Sequence, residues 1–172
     1  MLYSKLAQLY ESLSSTTKRL EKTDLLSRFL LQIPENEEDI LYLLLGNIYP
    51  QYDERKIGIS EKLVIKAISK ATGNNTEKVT KGWKKLGDLG LVSEDLTKTK
   101  TQATLASHTL TTTKVINNLR KLPELEGKGT VGKKLSLITE LLTSAKSLEA
   151  KYLVRTLIGD LRVGIQESTV RD

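Results

Sequence analysis

The stretch LVRTLIGDLRVGI, residues 153–165, sets the pattern from which the fold can be predicted. Apolar residues at helical spacing run directly up to Gly159, and a second glycine, Gly164, closes the short turn that follows. Glycine is the residue that most often ends a helix in the left-handed conformation. The stretch therefore predicts a helix, a tight turn and the start of another helix.

The same pattern occurs a second time, in the first half of the chain. The matching segments are ILYLLLGNI (40–48) with LVRTLIGDL (153–161), and IGISEKLV (57–64) with VGIQESTV (163–170). Gly46 and Gly58 thus correspond to Gly159 and Gly164. The two matches have offsets of 113 and 106 residues, so the first copy carries a seven-residue insertion around PQYDERK. An internal repeat of this kind predicts two helical units packed about a pseudo-two-fold axis.

Helical periodicity extends over most of the remaining sequence. The segments that show it are MLYSKLAQLYESL, DLLSRFLLQI, EEDILYLLLGNIY, SEKLVIKAISKAT, TEKVTKGWKKLG, GDLGLVSEDL, TTKVINNLRKL, GKKLSLITELLT, SLEAKYLVRTLIG and QESTVRD. We predict one compact all-α domain over residues 1–172 with about ten to twelve helices. The repeat halves are expected at about 20–70 and 130–172, and a Thr/Lys-rich surface loop at 97–113. The helical pattern is still open at the last residue, so we expect the chain to be part of a longer protein.

Local signals refine these elements. Ser60 is a candidate N-cap for the helix that follows it, and Gly73 is the expected end of that helix. Trp83, the one tryptophan, shares a helical stripe with Val79 and Leu86 and is expected in the core.

The composition excludes several classes of function. There is no cysteine and one histidine, His108, so the chain lacks the residues for a disulfide, a thiolate nucleophile or a histidine-based metal site. No window approaches the 18 apolar residues of a membrane span. Neither a nucleophile–base pair nor a supported carboxylate pair is apparent in the sequence.

Positive charge is concentrated in one window. The chain has 27 basic and 21 acidic residues, and residues 96–134 contain eight of the basic but only two of the acidic ones. That difference equals the whole net charge of +6. A localised basic region is typical of a protein that binds a polyanion such as DNA or RNA, although a lysine-rich solvated loop would look the same.

The loop EGKGTVGKK, residues 126–134, lies at the end of this window. Its spacing of Gly127, Gly132 and Lys133 resembles the phosphate loop G-x-x-x-x-G-K-[ST], but Lys134 replaces the hydroxyl residue that would hold Mg²⁺. A phosphate loop also follows a buried strand, whereas a polar helix precedes this one. We therefore interpret the loop as a basic turn that leads into a helix, with Thr130 as its N-cap, and as a candidate contact for a DNA phosphate.

The glycine turns can contribute to the same chemistry. Gly58 and Gly164 lie just before predicted helix N-termini, where unpaired N–H groups and the helix dipole favour an anion. A glycine lets a phosphate oxygen approach the backbone, and two such turns could each hold one strand of a duplex. Arg162 would add a charged fork to the second turn. The alternative is that the glycines only cap helices and allow tight packing.

Several long motifs in this chain resemble one known family. GNIYPQYDERKIGISEKLVIKAISKATG, GDLGLVSEDL, GKGTVGKKLSLITELL and EAKYLVRTLIGDLRVGIQESTVRD are similar, in order, to the N-terminal DNA-binding domain of ATP-dependent DNA ligases of the archaeal and eukaryotic replicative type. The resemblance implies an all-helical domain with pseudo-two-fold symmetry that straddles the minor groove at a nick. It also implies that a nucleotidyltransferase domain and an OB-fold domain close around the DNA from the other side.

The resemblance assigns family contacts residue by residue. Its G-x-L-R-x-G turn falls on Gly159, Leu161, Arg162 and Gly164, the counterpart turn on Gly58 and Ser60, and its G-x-G-[ST] loop on Gly127, Gly129 and Thr130. Together with the basic side chains, the candidate DNA-binding residues are Gly58, Ser60, Lys62, Lys98, Lys100, Gly127, Lys128, Gly129, Thr130, Lys133, Lys134, Gly159, Arg162 and Gly164.

The family also implies partners and cofactors. Some archaeal members bind the sliding clamp through a Gln followed by paired aromatics, and here Gln102 and Leu105 occupy that place without the aromatics. The adenylated lysine of the family lies in a K-x-D-G motif that does not occur in this sequence. We therefore expect no enzymatic activity from the chain alone, no cofactor in it, and ATP and Mg²⁺ in the parent ligase. A cytoplasmic, archaeal, monomeric protein that binds nicked duplex DNA and no membrane is predicted.

Two other hypotheses remain open from the sequence. One is a helical scaffold that binds other proteins instead of DNA. The other is a P-loop enzyme, which would require ATP binding by the isolated chain.

Overall fold

A computed structural model describes residues 1–50, 52–55, 57–100 and 109–165. In these ranges every regular element is a helix, and the extended pairing is limited to one isolated bridge between Leu2 and Thr111. The helices are α1 Tyr3–Ser14, α2 Arg19–Leu30, α3 Ile40–Leu44, α4 Glu61–Thr72, α5 Thr76–Leu86, α6 Leu89–Lys98, α7 Thr112–Lys121, α8 Val131–Ser144 and α9 Ser147–Ile158. The prediction of an all-α chain is confirmed, and no described helix is long and apolar enough to cross a membrane.

Helix α4 shows why the sequence signals worked. The Ser60 hydroxyl accepts a hydrogen bond from the backbone N–H of Leu63 at 3.2 Å, which satisfies one of the unpaired donors of the first turn. At the other end Gly73 adopts the left-handed conformation with φ +73° and stops the helix. Both predicted caps are confirmed.

Helix α9 is the centre of the core. Apolar side chains on it, including Ala150, Tyr152 and Val154, are fully buried, and the helix packs against α6, α1 and α4. The rings of Tyr152 and Tyr10 lie 5.1 Å apart, which joins α9 to α1. Since Gly159 is the C-cap of α9, the glycine turn follows this core helix directly.

Gly90 sets how closely α6 approaches α9. A Cβ atom at this position would lie 2.8 Å from Cγ of Arg155 and 2.8 Å from the carbonyl oxygen of Lys151. Only a residue without a side chain allows this separation. The second glycine of GDLG, Gly90, is therefore required for the close packing of α6 on α9.

Some sequence predictions differ from the structure. The helix expected over EEDILYLLLGNIY is reduced to the five residues of α3, because residues 34–39 form successive turns before Ile40. Both ends of the range 97–113, where a loop was expected, are helical, since α6 continues to Lys98 and α7 begins at Thr112. Leu86, expected in the core with Trp83, is 41% exposed.

The predicted number of helices is not confirmed. The described residues contain nine helices instead of ten to twelve, and the predicted helix QESTVRD lies outside them.

The two repeat copies share local backbone geometry. Gly46 and Gly159 both have positive φ, at +80° and +73°, and each follows a helix. In both copies the next residue closes the end of that helix, because Asn47 N–H donates to Tyr42 and Asp160 N–H donates to Arg155, each at 2.9 Å. The helices differ in length, five residues in α3 and twelve in α9. An overall pseudo-two-fold relation between the halves stays a prediction.

Candidate nucleic-acid interface

The second glycine turn follows the core helix and faces solvent. Gly159 and Gly164 are exposed and have φ of +73° and +68°. No heavy atom would lie within 4 Å of a Cβ atom at Gly159, so the space beside its backbone is open. An anion therefore has room to approach Gly159, although the N–H groups of Gly159 and Asp160 already donate to carbonyl oxygens of α9.

Arg162, between these glycines, has the one positive φ of any described residue other than glycine, at +57°. Its Nε donates to Oδ2 of Asp160 at 2.8 Å, and its Nη2 donates to the carbonyl oxygen of Gly87 at 3.4 Å. Nη1 lies 3.6 Å from Oδ2 of Asp88. The hydrogen bond that Arg162 donates to Asp160, with the charges of Asp160 and Asp88, raises the pKa of Arg162. The guanidinium is thus held in place while its side chain stays 46% exposed.

Asp88 connects this turn to the core. It is 3% exposed, and its Oδ1 accepts a hydrogen bond from Gly90 N–H at 2.8 Å, which caps α6. Its Oδ2 accepts hydrogen bonds from Nη2 and Nε of Arg155 at 2.5 and 3.1 Å. Burial opposes ionisation of Asp88, but the Arg155 hydrogen bonds and charge hold its pKa below the usual range. Asp88 stands at a helix start, where an N-cap is expected, but no sequence pattern indicated its contact with Arg155.

Lys22 is a second residue that the sequence did not reveal at this turn. From the first turns of α2, its Nζ donates to the carbonyl oxygens of Val163 at 3.4 Å and Gly164 at 3.1 Å. The same amine would collide with a Cβ atom at position 164. Some 140 residues separate Lys22 from the turn, so no local pattern could have signalled the contact.

The first glycine turn lies beside the second. Gly58 is exposed with φ +51° and stands two residues before the N-cap of α4. Gly46, Gly58 and Gly159 line one open cavity of about 190 Å³, and a Cβ atom at Gly46 would lie 3.6 Å from the side chain of Leu161. The structure therefore brings together glycines that are a hundred residues apart in sequence. Ser60 is exposed but its hydroxyl is used as the cap, and Lys62 is exposed in the first turn of α4.

The loop EGKGTVGKK leads into α8 without a side-chain cap. Gly127 and Gly129 are exposed with φ of +92° and +84°. Thr130 occupies the N-cap position, as expected, but its hydroxyl donates to the carbonyl oxygen of Gly127 at 2.8 Å and accepts no hydrogen bond from the helix. The expected capping bond is thus wrong, because the tight turn at Gly127 offers the hydroxyl an acceptor nearer than the helix. The first N–H groups of α8 are left without a side-chain partner.

The lysines of this loop differ from other cations of the basic window. Lys128 and Lys133 are exposed, Lys134 is half-buried, and none of the three forms an ion pair with a described residue. By contrast, Lys114 pairs with Glu140, and Arg120 pairs with Asp39 at 3.0 Å. Part of the charge that stood out in the sequence is thus used inside the fold, and the loop keeps the part that is available to an anion.

Lys98 and Lys100 lie away from the loop at 126–134. Lys100 donates from Nζ to the carbonyl oxygen of Thr143 at 2.8 Å, at the C-terminal end of α8, and its partial burial lowers its pKa. Both lysines line a second cavity, near Lys146. At 1.5 Å per helical residue, Thr143 is about 15 Å along α8 from Lys133. The structure therefore separates these two candidates from the loop.

The remaining predicted contacts fall outside the described residues. Gln102 and Leu105, the candidate clamp residues, belong to the segment 101–108. Within the described ranges no group of three His, Cys, Asp or Glu side chains is placed to hold a metal ion.

Comparison with known proteins identifies the family. Residues 2–172 match the family described as DNA ligase N terminus. The chain belongs to this family. Among its relatives, a DNA ligase of Methanosphaera stadtmanae is 42% identical over 98% of the chain, and DNA ligases of Methanobrevibacter smithii and Methanopyrus kandleri are 41% and 42% identical over all of it. The chain spans 31% of the length of each of these relatives. The resemblance inferred from the glycine turns and the GDLG and GKGT motifs is confirmed.

Proposed function

We propose that this DNA ligase N-terminal chain binds duplex DNA at nicks, without sequence specificity, through the sugar-phosphate backbone along the minor groove. The second glycine turn carries the proposal. It combines an open backbone at Gly159 with an exposed guanidinium at Arg162 that is already oriented by Asp160 and Gly87. A bidentate guanidinium matches a phosphate, and its prior orientation reduces the entropy lost on binding.

The conformation of Arg162 supports this role. A left-handed backbone costs a residue with a Cβ about 1 kcal/mol, and strained residues cluster at functional sites. Arg162 itself is exposed, whereas the next residue, Val163, is buried in the core. The left-handed Arg162 thus stands between two left-handed glycines, Gly159 and Gly164.

The loop at 126–134 provides a second set of contacts. Its two left-handed glycines expose the backbone, and Lys128 and Lys133 supply charge beside the unpaired N–H groups of α8. Contacts of this kind fix a protein on the duplex but read no bases. The first turn, with Gly58, Ser60 and Lys62, adds a third set.

The rest of the parent protein completes the function. We propose that it is an ATP-dependent DNA ligase that seals nicks in replication, repair and recombination in the archaeal cytoplasm. Its nucleotidyltransferase and OB-fold domains would bind ATP and Mg²⁺ and close around the DNA held by residues 1–172. In this proposal the chain acts as a monomer, and Gln102 and Leu105 are the candidate contacts for a sliding clamp.

Fluorescence anisotropy with a labelled nicked duplex tests the proposal. We expect binding whose log K falls linearly with log salt, because phosphate contacts release counterions. Arg162→Ala should weaken binding to all sequences alike and reduce the salt slope by about one. The matched control is Arg28→Ala, because Arg28 is an exposed arginine that also pairs with an aspartate, Asp24, at 3.0 Å, but lies within a helix.

Two outcomes would contradict the proposal. One is no binding at low salt, which would favour the helical scaffold for protein partners. The other is binding that is indifferent to salt. Thermal unfolding of both variants checks that a loss of binding is not a loss of fold.

A further inference from the structure

The insertion in the first repeat copy carries an aspartate–arginine pair like that of the second turn. In the second copy Asp160 precedes Arg162 by two residues and accepts its Nε–H at 2.8 Å. In the first copy Asp53 precedes Arg55 by two residues and accepts from Nε at 3.0 Å and from Nη2 at 2.6 Å. The aspartate–arginine pair of the first copy lies within its inserted residues, so neither sequence match pairs Arg55 with Arg162.

Each pair stands next to a left-handed glycine. Arg162 precedes Gly164 by two residues, and Arg55 precedes Gly58 by three. Arg55 and Gly58 line the same cavity as Gly159. The first copy thus has the same two features as the second, an exposed left-handed glycine and a nearby guanidinium.

One face of the Arg55 guanidinium lies against the ring of Tyr49. Its Cζ lies 3.7 Å from the centre of the Tyr49 ring, and Cζ of Arg120 lies 4.9 Å from the same ring. Arg120 is itself anchored, because its Nε donates to the carbonyl oxygen of Ile48 at 3.0 Å. These contacts fix the ring against which Arg55 lies.

The outer edge of the guanidinium remains available. The side chain of Arg55 is 51% exposed, and no described residue accepts a hydrogen bond from its Nη1. Glu124 is the other acidic group whose charge acts on it. Exposed ion pairs contribute little to stability, so Asp53 can share the guanidinium with a stronger acceptor at small cost.

We propose that Arg55 is a second DNA-backbone arginine, which binds a phosphate at the first glycine turn as Arg162 does at the second. The inference rests on the proposed function and adds one residue and one contact to it. Asp53 orients the planar guanidinium in the free protein, and a phosphate takes up its unpaired outer edge on binding.

The test measures binding of a labelled nicked duplex at 50 and 200 mM salt. One lost phosphate contact lowers the magnitude of the salt slope by about 0.9. When the salt rises fourfold, the affinity of Arg55→Ala should therefore fall by a factor about 3.5 times smaller than the factor by which the wild-type affinity falls. Arg55→Lys, which keeps the charge, should retain the wild-type slope. The control Arg28→Ala should match the wild type at both concentrations.

The variants separate a binding role from a structural one. If Arg55 only ordered the insertion through Asp53 and Tyr49, the Ala variant would keep the wild-type slope, and that result would overturn the inference while leaving the Arg162 contact standing. A lowered slope in Arg55→Lys equal to that in Arg55→Ala would also overturn it, since charge would not be the cause. If the wild-type protein bound no DNA, both this inference and the proposed function would fall.

Discussion

The guanidinium of Arg155 donates two hydrogen bonds to Oδ2 of Asp88, at 2.5 and 3.1 Å, within the interface between α6 and α9. Both side chains are buried, at 7% and 3% exposure. The other oxygen of Asp88 caps α6, and Arg162 reaches the same carboxylate from the glycine turn. One buried acid therefore links the stability of the core to the position of the proposed phosphate ligand.

Removing this acid should destabilise the fold strongly. Asp88→Asn leaves the charge of Arg155 buried without a counter-charge, and breaking a buried pair in this way costs about 3–5 kcal/mol. Denaturant unfolding measures the loss. Asp24→Asn, which breaks the exposed pair with Arg28, should cost less than about 1 kcal/mol. Equal losses in the two variants would show that the Asp88 pair is not specially important.

The same pair predicts a dependence of stability on pH. The folded-state pKa of Asp88 is held below its unfolded value of about 3.9, so its contribution is complete above that pH and is lost as the pH falls through the folded pKa. Thermal unfolding between pH 2 and 6 should show this loss in the wild-type protein. Glu11, whose pKa is also lowered despite its partial burial, by hydrogen bonds from Tyr152 and Lys151, adds to the loss.

The Asp88→Asn variant isolates the contribution of one residue. Its stability should fall less steeply below pH 4 than that of the wild type, and the remaining slope should come from Glu11 and other carboxylates. An unchanged slope would mean that Asp88 titrates at an ordinary pKa in the folded protein.

Gly90 is expected to tolerate no larger residue. Ala at this position would place Cβ 2.8 Å from the backbone oxygen of Lys151, which cannot move without shifting α9. Overpacking of this kind costs about 1–3 kcal/mol. Gly132→Ala is the matched control, since nothing lies within 4 Å of its Cβ and Ala favours a helix by up to about 1 kcal/mol. A lower melting temperature for Gly90→Ala together with a higher one for Gly132→Ala would support the tight interface. An increase in both variants would contradict it.

What the sequence predicted well is local in origin. The caps at Ser60 and Gly73 depend on neighbours a few residues away, as does the left-handed turn at Gly159, and all three are where the pattern placed them. The helical periodicity likewise reports only which face of a segment is buried, so it located α4 to α9 closely. α3 is shorter than predicted because residues 34–39 form turns, which periodicity does not report.

The contacts that the sequence missed are nonlocal or depend on fine geometry. Lys22 reaches Gly164 across the fold, and Lys100 binds the end of α8, so neither pairing has a sequence signal. Thr130 has the residue type and position of a cap, yet the turn at Gly127 offers its hydroxyl another acceptor. Arg55, which we propose as the counterpart of Arg162, lies within the inserted residues of the first copy, so the repeat matches do not pair the two arginines.

The separation of the lysines along α8 predicts unequal contributions to DNA binding. Lys128→Ala with Lys133→Ala should reduce the salt slope by about two, because both amines are exposed beside the glycine loop. Lys98→Ala with Lys100→Ala removes the same charge, but Lys100 already binds the Thr143 carbonyl at the far end of the helix. We expect the second pair to change the slope by less than the first. Equal reductions would show that the bound DNA covers both ends of α8.

Variants at two glycines with the same backbone angle distinguish an effect on stability from an effect on DNA binding. Gly159 and Gly73 both end a helix with φ +73°, and nothing lies within 4 Å of a Cβ atom at either position. Substitution of either glycine by Ala should therefore lower the free energy of unfolding by about 1 kcal/mol, because the left-handed conformation is equally unfavourable for Ala at both positions. Chemical denaturation should give matching values for the two variants.

Only Gly159→Ala should affect DNA, because only Gly159 lies at the proposed phosphate contact, where a methyl group would hold an oxygen away from the backbone. Anisotropy at one salt concentration then compares two proteins of equal stability and equal charge. Weaker binding by Gly159→Ala alone would place the duplex at the second glycine turn. Equal binding by both variants would mean that Gly159 serves only to end α9, and the guanidinium of Arg162 would then have to make the contact without close approach to the backbone.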